Sequence, residues 1–128
     1  MGIGIDVVEV ARIRDSLDRF GDRFLERIFT ERERVYCLSQ KRPEINLAAR
    51  FAAKEAISKA FGTGIGKDLG WLDLEICRRV SGEPGVNLSE KGEAFALSRG
   101  AGEIKISLTH ARHYAAANAV LLARLGDS

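Results

Sequence analysis

The chain is predicted to fold as an α+β domain in which an antiparallel sheet surrounds one long central helix. Three observations carry that prediction. Several segments alternate apolar and other residues with a period of two, as half-buried strands do. Among them runs Asn46–Phe61, with six alanines and neither Gly nor Pro, the strongest helical stretch of the sequence. The strand and helix signals follow no regular βαβ alternation, which argues against a parallel sheet. At 128 residues with 45% hydrophobic content, one domain over residues 1–128 is expected, large enough for a core without disulfides or a structural metal.

In Gly2–Val8, Ile3, Ile5 and Val7 share one face and Gly4, Asp6 and Val8 the other, so the strand carries an acid on its less apolar side. From Glu9 to Phe20, the residues Val10, Ile13, Leu17 and Phe20 recur at helical spacing and leave Arg12, Asp15 and Arg19 outward. Gly21 ends that helix, and a short one over Asp22–Phe29 follows. Thr30-Glu31-Arg32-Glu33 has the form of a capping box, in which hydroxyl and carboxylate satisfy each other's backbone N–H groups, and opens a helix to about Gln40. Pro43 marks the next start, Asn46–Phe61 the helix body and Gly62 its end. Gly62–Gly66 must then be a loop. Leu72, Leu74 and Ile76 alternate as a strand, Ser81–Gly85 reads as a turn, and Val86–Leu88 returns as the hairpin partner. Ser89 caps a helix to about Arg99, and strands Ile104–His110 and Tyr114–Ala123 follow, the second largely buried.

Charge and composition exclude several classes. Twenty Lys and Arg against eighteen Asp and Glu leave +2, far from the balance of a dedicated nucleic-acid binder, and nine scattered aromatics make no stacking stripe. The charge is uneven: net −1 over residues 1–36 (seven basic, eight acidic), +3 over 37–69 (six, three) and 0 over 70–128 (seven, seven). Cys37 and Cys77 stand forty positions apart with no zinc-like or redox spacing, which suits a reducing compartment. The opening Met1–Asp6 has no basic n-region, and no apolar run approaches the ~20 residues of a membrane span, so a cytoplasmic protein with no membrane partner is expected.

The residues that could carry chemistry lie on the first strand and the long helix. An unpaired carboxylate among apolar neighbours costs several kcal/mol, so Asp6 needs a partner, whether a cation, a helix cap or a metal. At about 100° per residue, Glu55 shares its helix face with Ala48, Phe51, Ala52, Ser58 and Lys59, a mostly small and apolar surface. Either Glu55 pairs with Lys59 one turn on, a contact worth only ~0.3–0.5 kcal/mol on a solvated face, or it points inward. Arg50, Lys54 and Lys59 with Lys67 form a cationic region near these acids. That combination is either a solvated basic face or the arrangement a phosphate ester and a hard cation require. Gly62-Thr63-Gly64-Ile65-Gly66-Lys67-Asp68 is not a nucleotide-triphosphate loop, since Phe61 stands where its first Gly belongs and Asp68 where a hydroxyl should hold Mg²⁺. His110 ends a strand and His113 follows three residues later, so the two do not share a helix face, which disfavours zinc.

Three segments together carry a resemblance: Gly2-Ile3-Gly4-Ile5-Asp6, then Arg50-Phe51-Ala52-Ala53-Lys54-Glu55-Ala56 with Lys59 and Gly62-Thr63-Gly64, and Ile106-Ser107-Leu108-Thr109-His110. In order and spacing over essentially the whole chain they resemble the short phosphopantetheinyl transferases. The resemblance implies Mg²⁺-dependent transfer of phosphopantetheine from coenzyme A to a serine of an apo acyl carrier protein, releasing adenosine 3′,5′-bisphosphate. It implies Asp6 and Glu55 as Mg²⁺ ligands, with Asp6, Glu55 and Lys59 as the catalytic set. Arg50, Lys54, Gly64 and His110 would bind coenzyme A, and Arg12 would face the acidic carrier, with Arg14, Arg23 and Arg27 offering further charge. A base for the serine stays open between Glu55 and a Mg²⁺-bound hydroxide. Phe51 stands where longer relatives have Trp, and Asp6-Val7-Val8 lacks their Asp-x-Glu. That pattern points to the short type, a homotrimer with active sites between subunits, and leaves Glu9 a doubtful third ligand. The competing reading is a non-catalytic phosphate-ligand-binding domain of the same fold.

Overall fold

A computed structural model describes residues 1–125. The elements run β1 (Gly2–Glu9), α1 (Val10–Phe20), α2 (Asp22–Ile28), α3 (Glu31–Leu38), α4 (Pro43–Phe61), a single 3₁₀ turn (Trp71–Asp73), β2 (Leu74–Arg78), β3 (Pro84–Leu88), α5 (Glu90–Ser98), β4 (Ala101–His110) and β5 (Tyr114–Ala123). The order matches the predicted one. Proline sits in the first turn of α4, where its missing N–H has no partner to lose, and Gly62 ends the helix at φ +82°. Thr30 and Glu33 form the expected reciprocal cap on α3.

Two antiparallel sheets result, a three-stranded one in the order β1-β5-β4 and the hairpin β2-β3. The α+β class, with antiparallel pairing and a long central helix, is the predicted one, and the strands divide into two sheets. Helix α4 lies across the three-stranded sheet, and its alanines at 48, 49, 52, 53, 56 and 60 are all buried. Small side chains there let backbone approach backbone. Facing them, the register aligns Gly4 with Ala119, Asp6 with Ala117 and Val8 with Ala115, and sets Leu108 beside Ala117 and Ile106 beside Ala119.

Which face of β1 is buried reverses the usual rule that the apolar side turns inward. Ile3, Ile5 and Val7 are 75%, 65% and 59% exposed, whereas Gly4 and Val8 are buried. The reason is steric. A β-carbon added at Gly4 would overlap the Ala56 carbonyl oxygen, and one at Gly2 would overlap that of Ala60. Only glycine lets this strand lie on α4. Among the described residues no helix is long and apolar enough to cross a membrane.

Gly4→Ala should therefore force β1 away from α4. We expect a loss of roughly 1–3 kcal/mol in denaturant unfolding, as overpacking typically costs. A variant as stable as the parent would contradict the close packing.

Candidate active site

Along the inner row of β1, Asp6 is the first position beyond the two helix-packed glycines to carry a side chain. Its carboxylate is only 16% exposed. Lys59, from the last turn of α4, donates to Asp6 Oδ1 at 2.9 Å and to the Ile5 carbonyl at 3.1 Å. The lysine side chain is itself 50% exposed, so the pair contributes no more than about 1 kcal/mol. Its importance is placement: a strand carboxylate and a helix ammonium are joined across the contact made by glycine.

Glu55 precedes Lys59 by one turn and stands against the same acid. Its pKa is raised above the usual glutamate value, first by burial and second by the Asp6 charge, while Lys59 and Arg12 pull it back. Lys59 thus reaches across to Asp6 rather than lying only along its own helix. Two carboxylates close enough to repel, beside a single shared ammonium, suit a hard divalent cation. Magnesium binds through one or two carboxylates and leaves its other positions to water and substrate phosphates. No cluster of three or more His, Cys, Asp or Glu capable of holding a metal occurs among the described residues. Glu9 is exposed at the end of β1.

The other predicted residues fall in different places. Arg50 is 8% exposed, donates through Nη1 to the Ile76 carbonyl, and lies over the Tyr36 ring at 4.5 Å. With Tyr36, Arg78 and His110 it lines a cavity of about 190 Å³. A second cavity of about 710 Å³ shares Arg50 and Arg78 and adds Arg32 and Arg79. Gly64 takes φ +68° in the loop after α4, a conformation that disfavours L side chains, with open space where a β-carbon would be. Lys54 requires a correction. It is not at a ligand surface: it is 0% exposed, and its ammonium donates to Glu33 Oε1, the Ile28 carbonyl and the Trp71 carbonyl at 2.6, 2.7 and 2.9 Å. All three of its N–H donors are engaged inside the protein.

So the fold gathers Asp6, Glu55, Lys59 and Arg12, and separately gathers Arg50 and His110. One feature has no signal in the sequence. Phe20, Arg23, Phe24, Arg27, Ile28 and Trp71 line a groove of about 310 Å³, and the Trp71 ring stacks on Phe51 at 4.7 Å. The arginines stand out as a charge pattern, but the aromatic lining comes from elements about fifty residues apart.

Comparison with known proteins is consistent along the chain. The model of the 4′-phosphopantetheinyl transferase superfamily matches residues 2–119. A holo-[acyl-carrier-protein] synthase of Chlamydia trachomatis serovar D is 52% identical over 119 residues, covering 93% of this chain and 97% of that protein. One from Ruminiclostridium cellulolyticum is 47% identical over 129 residues, covering 100% of this chain and 95% of the relative. Among solved structures, the Helicobacter pylori holo-[acyl-carrier-protein] synthase in complex with coenzyme A superposes with a TM-score of 0.82 at 36% identity, over 94% of this chain and 99% of the other. The enzyme of that name from Neisseria meningitidis gives 0.90 at 30% identity, over 94% and 97%.

The electrostatics of the acid pair can be read directly by carboxyl NMR titration. Glu55 should titrate above the ordinary glutamate range, and in Asp6→Asn its pKa should move down, because one raising charge is gone and Lys59 is released. It should stay above the ordinary range only as far as burial dictates. A Glu55 titration unmoved by Asp6→Asn would separate the two acids.

Proposed function

The chain belongs to the 4′-phosphopantetheinyl transferase superfamily and is an enzyme of the holo-[acyl-carrier-protein] synthase type, and we propose that it moves phosphopantetheine from coenzyme A to a serine of an apo acyl carrier protein with Mg²⁺, releasing adenosine 3′,5′-bisphosphate. The observation that carries this reading is the junction of Asp6, Lys59 and Glu55. In the reaction the serine oxygen bonds to the phosphorus that carries the phosphopantetheine. The bond from that phosphorus to the bridging oxygen breaks, the bisphosphate leaves with that oxygen, and the serine gives up its proton. Such a transfer depends chiefly on placement and on neutralising oxygen charge.

The residues fit those needs. Asp6 and Glu55 would hold the Mg²⁺, which when bound supplies neutralisation of the pyrophosphate charge. Burial first, and then the Asp6 charge, raise the Glu55 pKa, and the repulsive part is a cost a cation would remove. Lys59, tethered to Asp6, keeps an ammonium beside the same oxygens for charge-assisted contacts with phosphate. Arg50, Gly64 and His110 would take the rest of coenzyme A, whose class of ligand is named in the complex of the Helicobacter pylori enzyme.

Assembly would complete the site. Arg50 and His110 line a cavity to which Asp6, Glu55 and Lys59 contribute nothing, as expected if each coenzyme A is shared between neighbouring copies. The outward face of the three-stranded sheet supports a homotrimer. Ile3, Val120 and Lys105 align across it, as do Ile5, Asn118 and Ser107, and Val7, Ala116 and Thr109. Among the described residues no element covers Ile3, Ile5 and Val7 there, and exposed apolar strips of this kind mark association surfaces.

The carrier protein would dock at the groove of Phe20, Arg23, Phe24, Arg27 and Trp71, extended by Arg12. Basic rim and aromatic floor complement an acidic partner with an apolar patch. Arg12 also lies within electrostatic reach of Glu55, which supports a docking face next to the acids.

Intact-mass measurement of an apo acyl carrier protein with coenzyme A and Mg²⁺ tests the reading. One phosphopantetheinyl group should be added, and chelation should abolish the gain. Asp6→Ala and Glu55→Ala should each slow it by roughly a hundredfold or more, about 3 kcal/mol of transition-state stabilisation. Arg12→Glu should raise KM for the carrier by roughly tenfold and leave KM for coenzyme A within about twofold. No mass gain despite coenzyme A binding would leave a non-catalytic binding domain.

A further inference from the structure

Lys54 and Glu33 take no part in the chemistry described, yet both are 0% exposed and joined at 2.6 Å. Glu33 Oε1 also accepts from the Thr30 backbone N–H at 2.9 Å, and Oε2 from that of Ile76 at 2.9 Å. One ammonium and one carboxylate therefore tie together α3, α4, β2, the end of α2 and the 3₁₀ turn. A well-packed hydrophobic pair of the same volume is often as stable as a buried ion pair or more so, so stability alone does not explain this one. Its geometry points elsewhere.

Of the three acceptors on the Lys54 ammonium, two are the main-chain carbonyls of Ile28 and Trp71. Both residues line the groove of about 310 Å³. One helical turn earlier on the same face, Phe51 stacks on the Trp71 ring at 4.7 Å and 30°. Trp71 is thus held at its carbonyl by Lys54 and at its ring by Phe51, and Ile28, a lining residue from another element, is held by the same ammonium. A single side chain fixes these two lining residues relative to each other.

We propose that Lys54, oriented by Glu33, is a positioning residue for the carrier-protein groove: it fixes Ile28 and Trp71 at the separation the partner's apolar contact requires, and touches neither substrate. This rests on the reading of the groove as the carrier surface. The consequence is selective. Loss of the ammonium should loosen the groove and spare the Asp6–Lys59–Glu55 junction, because Glu55, although next in the chain, leaves α4 about 100° around the helix from Lys54.

Trp71 is the only tryptophan in the sequence, so its emission reports on the groove directly. The variants to compare are Lys54→Met, which strands a buried carboxylate, and Lys54→Met/Glu33→Gln, which does not. In the full-length enzyme each should raise KM for the carrier protein by roughly fivefold or more, with kcat and KM for coenzyme A within about twofold. Acrylamide should quench Trp71 more readily than in the parent, since the ring is less firmly held. An unchanged carrier KM, a parallel loss in coenzyme A affinity, or cooperative unfolding lost in both variants would overturn the proposal and make the pair a requirement of the fold. Failure of the groove reading would look different: in the parent enzyme, a carrier protein that is modified yet leaves Trp71 emission unchanged docks elsewhere.

Discussion

The approach of β1 to α4 is the constraint on which the rest of the molecule depends. Gly2 and Gly4 lie on the carbonyl oxygens of Ala60 and Ala56 with no space for a side chain between strand and helix. Contact at that range brings Asp6 within reach of Lys59 and sets its charge against Glu55. A larger residue at either glycine would move the strand by the thickness of a methyl group, and the acid would move with it. Site geometry is in this way fixed by residues with no functional group. The alanines of α4 serve the same end from the other side, because a leucine at 52 or 56 would hold the sheet off as surely as a side chain at Gly4.

The same packing explains why the molecule presents an apolar face to the outside. A strand whose inner row is occupied by glycine and an acid has only its outer row left for isoleucine and valine. Ile3, Ile5 and Val7 accordingly lie uncovered next to Val120 and Ala116. The acid and the exposed apolar row are then two sides of one strand, separated by the thickness of its backbone.

Much of this was legible in the sequence because it is local. Glycines and an acid alternating at Gly2, Gly4 and Asp6, the capping box at Thr30–Glu33, and the alanine run closed by Gly62 each state their own geometry within a few residues. The helical position of Glu55 on a small-residue face also followed from periodicity. What the sequence hides is long-range pairing. Lys54 sits in a run of charged residues at 50, 54 and 59 that looks like one basic face, but it is fully buried where Lys59, five positions on, is half-exposed, and its partner Glu33 lies twenty-one positions away. The groove was hidden for the same reason, since Phe24, Phe51 and Trp71 meet only after three elements pack. The outward turn of the isoleucines was hidden because alternation defines two faces of a strand and does not say which one is inside.

The proposed role of Asp6 and Glu55 is to receive jointly the cation that accompanies the pyrophosphate of coenzyme A. Anomalous diffraction from crystals of the enzyme grown with coenzyme A and Mn²⁺ would locate that cation, since manganese shares the oxygen ligands that magnesium prefers. One strong anomalous peak per chain is expected, within coordination distance of a carboxylate oxygen from each of Asp6 and Glu55 and of a pyrophosphate oxygen. A peak elsewhere, or coenzyme A bound in full with its pyrophosphate remote from both acids, would contradict it.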